Sequence, residues 1–200
     1  MDTITKIDIL FSKYCEGLGE IQVRDFNFKE DSEKIHHWVT KPYAKYWGMQ
    51  ESTITEFEEE YRKITDSKHH HVCIGMLDGK PIFLMEYYDP HKDTIADHYD
   101  VLSGDVGMHI LVAPVEKKIP KFTWIVFTAI MDFLFADQEI KRIVVEPDVT
   151  NQKIHILNAK AGFRYFKEVQ LPHKRAHLAI CTRKDYKSAI QKSHVKQYNQ

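Results

Sequence analysis

A chain of 200 residues is long enough for one domain with a sizeable core and leaves little room for a second. Hydrophobic residues make up 43% and charged residues 28%, a globular balance that excludes an intrinsically disordered chain. The formal net charge of −1 supplies no global field to attract nucleic acid or anionic lipid, so neither is expected as a partner.

The opening MDTITKIDILFSKYCEG lacks a basic segment followed by an apolar run, so no secretory signal is expected. IQVRDFNF (21–28) alternates apolar and polar residues as a strand does. DSEKIHHWV then reads as a short helix capped by Asp31 or Ser32. STITEFEEEYRKI (52–64) opens with Thr53 and Glu56 in capping-box spacing and predicts a second helix. HVCIGML and PIFLMEYY flank Asp78-Gly79, a hairpin signal. The histidines at 69–71 precede this hairpin. Adjacent strand residues point to opposite faces, so they read as strand-edge decoration and no metal is expected.

A polar stretch leads to DVGMHILV, a strand, and the run from Phe122 to Phe135 is apolar on almost every face, a buried helix, whose most apolar part, WIVFTAIM before Asp132, is too short to cross a bilayer. RIVVE (142–146) has the continuous apolar look of a parallel strand. Asn151 is placed to cap a helix that ends at Gly162. FRYFKEVQL and HLAICTR are two more strands, and residues 184–200 form a polar tail or loose helix. Cys15, Cys73 and Cys181, odd in number and far apart, suit reduced thiols and a cytoplasmic location. The predicted fold class is α+β: residues 1–183 as one domain, a mostly antiparallel sheet with one central parallel pair, DVGMHILV beside RIVVE, flanked by helices.

In such a sheet the crevice beyond the carboxyl ends of the parallel pair favours ligands. APVEKKIPKFTW (113–124) lies there without a glycine. Pro120 can start the helix, which would point the amides of Lys121, Phe122 and Thr123 at an anion, with Lys117, Lys118 and Lys121 adding charge. An ordinary lysine-decorated loop is the equal alternative. His109 shares its side of the strand with Gly107 and Leu111, and Asp148 follows Pro147 just past the neighbouring strand. A His–carboxylate pair there would make a general base. Taken singly, His109 also suits the core and Asp148 a helix cap.

The pattern GDVGMHILVAP, IPKFTW, FLFAD, RIVVEPDVTNQKIHILNAKAGF and LPHKRAHLAICTR, with HHWVTKPYAKYWGM upstream, resembles the GNAT acyltransferase superfamily. It is most similar to the branch that acylates N-hydroxylated amines in hydroxamate siderophore synthesis, across roughly residues 20 to 183. The resemblance implies a GNAT-like fold and transfer from acyl-CoA, acetyl or succinyl, to an N-hydroxylated diamine or N6-hydroxylysine. It implies His109 and Asp148 as the catalytic pair. Ile110, Leu111, Val112, Lys118, Lys121, Phe122, Thr123, Asn151 and Asn158 would hold CoA, and a main-chain N–H near Ile110 or Leu111 would stabilise the oxyanion. Trp47, Met49, Glu86, Tyr88 and Lys174 would face the acceptor, a small molecule, while Trp38 suits core packing. Asn158 stands where many GNAT enzymes carry a tyrosine that protonates the departing thiolate. A thiol pKa of about 8.5 lets a thiolate leave with little help. Two other readings are an aminoglycoside-type acetyltransferase and a CoA-binding module without turnover. The protein is expected as monomer or homodimer.

Overall fold

A computed structural model describes residues 8–114 and 119–198, with side chains of the last helix described to Ser193. The elements in chain order are β1 (Ile9–Cys15), β2 (Gly19–Asp25), α1 (Phe28–Val39), α2 (Ile54–Asp66), β3 (His70–Leu77), β4 (Lys80–Tyr88), β5 (Asp105–Val112), α3 (Phe122–Ala136), β6 (Arg142–Val145), α4 (Gln152–Ala161), β7 (Arg164–Gln170), β8 (Arg175–Thr182) and α5 (Arg183–Tyr198). The strands follow the order β1-β2-β3-β4-β5-β6-β8-β7. β5 and β6 run parallel, while β1–β2, β2–β3, β6–β8 and β7–β8 run antiparallel. This is the mixed α+β sheet that the sequence predicts. The chain divides into two compact units, one of Met1–Glu86 with Ile110–Phe133 and one of Tyr87–His109 with Leu134–Gln200.

In the first unit, β1 is an element that the sequence pattern does not announce, because six of its seven residues are exposed or half-exposed. β2 stops at Asp25, earlier than expected, and Asn27 caps α1 by accepting from the amides of Lys29 (3.0 Å) and Glu30 (3.2 Å). The expected caps, Asp31 and Ser32, lie inside the helix. Asp31 is drawn inward by Arg24, which grips its carboxylate with two hydrogen bonds of 2.6 and 2.7 Å. The same carboxylate also accepts from the Asn27 amide at 2.8 Å, so it serves the buried guanidinium and the helix start together. The capping box of Thr53 and Glu56 forms as predicted. So does the hairpin turn, with φ of 49° at Asp78 and 74° at Gly79. Between the helices and the strands lies a core of Ile35, Trp38, Phe57, Tyr61, Ile74 and Leu84, which gives Trp38 the packing role expected of it.

In the second unit, β5 and β6 pair from Asp105↔Arg142 to Gly107↔Val144. The first of these pairs is locked on one face, where Arg142 Nε and Nη2 donate to the two oxygens of Asp105 at 2.5 and 2.6 Å. α4 is capped by Asn151 and ends at Gly162, whose φ of 99° is left-handed, as the sequence predicts. α5 is a helix anchored at its start. Arg183 donates to the carbonyls of Phe135, Asp137 and Ile140, and Tyr186 is buried against Phe135.

Candidate active site

Residues on one face of paired parallel strands recur every second position. Two positions beyond Gly107↔Val144, that period brings His109 of β5 and Glu146, just past β6, to the same face. His109 Nε2 lies 2.6 Å from Glu146 Oε1. Lys174, in the tight turn between β7 and β8, donates from Nζ to the same oxygen at 3.3 Å. Tyr88, at the end of β4, donates its hydroxyl to Glu146 Oε2 at 3.3 Å, and its ring centroid lies 5.2 Å from that of His109. Room for that ring comes from Gly107: a Cβ there would sit 2.2 Å from Tyr88 Cζ. All four side chains belong to the second unit.

Glu146 is 5% exposed. Burial alone would raise its pKa, but the adjacent His109 and then Lys174 outweigh burial and hold it at about 2, so it is a carboxylate at any physiological pH. Burial, with the Glu146 charge second, pushes the Tyr88 phenol well above its ordinary range and keeps it a donor. His109 is about one-third exposed at its side chain. An imidazole that is reachable from solvent and braced by a fixed carboxylate can accept a proton and stabilise the imidazolium that results.

Sequence reasoning passes over Glu146 because RIVVE reads as an apolar strand. The signal that finds it is register: once Asp105 is paired with Arg142, stepping four residues along both strands lands on His109 and Glu146. Asp148 accepts from the amide (2.8 Å) and hydroxyl (2.5 Å) of Thr150, and its carbonyl lies 3.0 Å from His155 Nε2. Asn151 takes the helix cap. Asn158 is turned inward, 1% exposed, and its Nδ2 donates to Tyr165 Oη at 2.9 Å. The face of α4 that carries Asn158 meets β7 at Tyr165.

In the first unit, Trp47 Nε1 donates to Tyr61 Oη (3.2 Å), and Tyr61 donates to Glu86 Oε1 (2.9 Å). His70 Nε2 lies 3.5 Å from Glu86 Oε2. His70 is therefore partner to a buried carboxylate, a correction to its reading as strand-edge decoration. Trp47 and Met49 pack against the core cluster. Tyr61 and His70 are the residues missed here. Among the described residues no group of three or more His, Cys, Asp or Glu is arranged to hold a metal ion.

The turn before α3 departs from expectation. Pro120 does not begin the helix: α3 starts at Phe122, after Lys121 takes a left-handed φ of 59°. That reversal bends the Phe122 amide back onto the Ile119 carbonyl (3.2 Å), so it does not point outward as predicted, and the Phe122 ring is buried. Lys121 and Thr123 remain at the helix start, and Lys121 is exposed. Lys117 and Lys118 lie outside the described residues. Cys15, Cys73 and Cys181 are all buried, and burial pushes the thiols of Cys73 and Cys181 up to about 12, a poor setting for a nucleophile.

Residues 27–171 match the acetyltransferase (GNAT) domain family. The chain belongs to the GNAT acetyltransferases. This GNAT chain is 29% identical over 156 residues to the N(6)-hydroxylysine O-acetyltransferase of Escherichia coli, spanning 76% of its own length and 49% of that protein. It is 25% identical over 188 residues to the N-hydroxyputrescine acetyltransferase of Acinetobacter baumannii, spanning 93% of itself and 89% of that protein. Among solved structures, an uncharacterized protein from Bacillus halodurans superposes with a TM-score of 0.83 at 25% identity, over 91% of this chain and 95% of the other. AAC(6')-Ib in complex with ribostamycin and coenzyme A gives 0.73 at 21% identity, over 84% and 96%, a likeness of fold. No helix among the described residues is long and apolar enough to cross a membrane.

Proposed function

We propose that this GNAT domain transfers an acyl group from acyl-CoA to the nitrogen of an N-hydroxylated amine, a hydroxamate-forming step of siderophore synthesis. The reading rests on one observation above others: the part-exposed His109 braced at 2.6 Å by a buried, ionised Glu146. The names of relatives in Escherichia coli and Acinetobacter baumannii supply the acceptor class. The nitrogen lone pair attacks the thioester carbonyl and forms the C–N bond, the C–S bond breaks, and CoA leaves as thiolate. His109 takes the proton that the nitrogen loses and returns it to the thiolate or to water.

Glu146 stabilises the imidazolium in this scheme, and Asp148 keeps its proposed place as the second carboxylate serving His109. Ile110, Leu111 and Val112, with Lys121, Thr123 and Asn151, are proposed for CoA, and the amide of Ile110 or Leu111 for the oxyanion. Trp47, Met49 and Glu86 are proposed to contact the acceptor, acetyl- or succinyl-CoA is the proposed donor, and the cytoplasm the proposed location.

A thiol-release assay with several acyl-CoAs and amines tests the reading, with ferric colour as the product readout, since a hydroxamate chelates iron(III) and an O-acyl ester does not. Thiol release and ferric colour with hydroxylated amines alone are expected. Release with aminoglycosides but not hydroxylated amines, or CoA binding with no release from any amine, overturns it.

A further inference from the structure

His109 and Lys174 contact one and the same atom, Glu146 Oε1, at 2.6 and 3.3 Å. Two cations on one oxygen can be no farther apart than about 6 Å, a distance at which like charges oppose each other's ionisation. Lys174 is held there by its backbone as well, its carbonyl accepting from the Leu171 amide at 2.9 Å in a turn that leaves the side chain 18% exposed. A carboxylate alone beside an imidazole would pull it toward the imidazolium, a form with no lone pair to accept a proton. An ammonium on the same carboxylate opposes part of that pull.

We infer that Lys174 is a positioning residue that disfavours protonation of His109 in the resting protein, by opposing the charge of the carboxylate that orients the ring. Glu146 then fixes the imidazole without saturating it. With Nε2–H donated to Glu146, the neutral ring carries its lone pair on Nδ1, and the proton taken during acyl transfer turns the His109–Glu146–Lys174 group from neutral to singly positive. Groups that face this ring or its partners include Glu146 just past β6, Tyr88 on β4, Lys174 in the β7–β8 turn, and, around Tyr88, Asp93 and Tyr99. Among them Lys174 is the one whose charge opposes the imidazolium. The inference builds on the base role proposed for His109, but its central statement concerns the ring's protonation in the resting protein.

The test is an NMR titration of the His109 ring in the substrate-free full chain, alongside the pH profile of kcat/KM. Lys174→Met is expected to raise the His109 midpoint by roughly one unit or more and to move the acid limb of the profile upward with it. Lys174→Arg, which restores the cation, should return both toward wild type, and thermal unfolding checks that each variant folds. A midpoint unmoved by Lys174→Met overturns the inference; if KM for the acceptor rises at the same time, Lys174 is a substrate contact instead. A midpoint that rises in Lys174→Met while His109→Ala still turns over at the wild-type rate upholds the inference about the ring and removes His109 as base, so the two readings fail separately.

Discussion

Glu146 Oε1, just past the end of β6, and His109 Nε2, within β5, stand 2.6 Å apart, one group buried and the other about one-third exposed. A carboxylate so placed fixes the tautomer and supports the charge that the ring acquires when it takes a proton. His109→Ala is expected to lower thiol release by roughly 10²–10⁴-fold. Glu146→Gln keeps an oxygen for the ring but loses the charge, so turnover should fall about tenfold or more and the acid limb of the pH profile should move to lower pH. That is opposite in direction to the effect expected of Lys174→Met. Rate profiles of the three variants between mildly acidic and mildly basic pH check both statements, and an unchanged limb in Glu146→Gln would remove the carboxylate from the reaction.

The same carboxylate ties stability to acid. Its folded pKa of about 2 lies below the ordinary 4.5, because His109 and Lys174 outweigh the burial that would raise it. A depressed carboxylate binds its proton more readily in the unfolded chain, so stability falls with falling pH. The contribution is complete above about pH 4.5 and is lost as pH drops through about 2, an effect on the order of 3 kcal/mol. Urea unfolding of wild type and Glu146→Gln should therefore differ most near neutral pH and converge toward pH 2. Parallel curves across that window would show that Glu146 has no such linkage.

Much of this was legible in the sequence. The capping box at Thr53, the Asp78-Gly79 hairpin and the Asn151–Gly162 helix are set by local chemistry, the parallel β5–β6 pair by its apolar run and the helix between its strands, and each forms as read. His109 and Lys174 were visible as candidates. Glu146 was not, because its place depends on the register between strands thirty-odd residues apart in the chain. β1 escaped because an exposed edge strand needs no apolar alternation. The α1 cap was misread because Asp31, a good cap by type, serves a buried Arg24 that only tertiary packing reveals. The start of α3 was misread because a proline signals a helix start, whereas here Lys121 bends the chain before the helix begins.

Gly107 carries a packing prediction. A Cβ at this position would lie 2.2 to 2.6 Å from atoms of the Tyr88 ring, far inside van der Waals contact. Tyr88 is 4% exposed and belongs to a buried cluster with Ile95 and Val144. Gly107→Ala is expected to cost about 1–3 kcal/mol through overpacking and to disturb the ring that abuts His109. Thermal unfolding and thiol release should fall together. Tyr88→Phe, which keeps the ring and removes its 3.3 Å bond to Glu146, should cost about 1–3 kcal/mol without displacing the ring. Were Gly107→Ala as stable and as active as wild type, the tight approach of β4 to β5 at this point would be disproved.

Lys121 separates backbone from charge at the start of α3. Its φ of 59° is left-handed, a conformation that costs a residue with a side chain roughly 1–2 kcal/mol and glycine little. Lys121→Gly relieves that strain and loses the cation; Lys121→Ala loses the cation and keeps the strain. Glycine also has more freedom to lose on folding, which offsets part of the relief. Lys121→Gly should therefore be more stable than Lys121→Ala by about 1 kcal/mol, measured by urea unfolding. If the ammonium is what attracts the CoA phosphates, both variants should show the same several-fold rise in KM for acyl-CoA at low salt, shrinking as salt is added. A glycine variant that binds acyl-CoA as tightly as wild type would assign the contact to main-chain amides in the turn and leave the Lys121 charge without a role in binding.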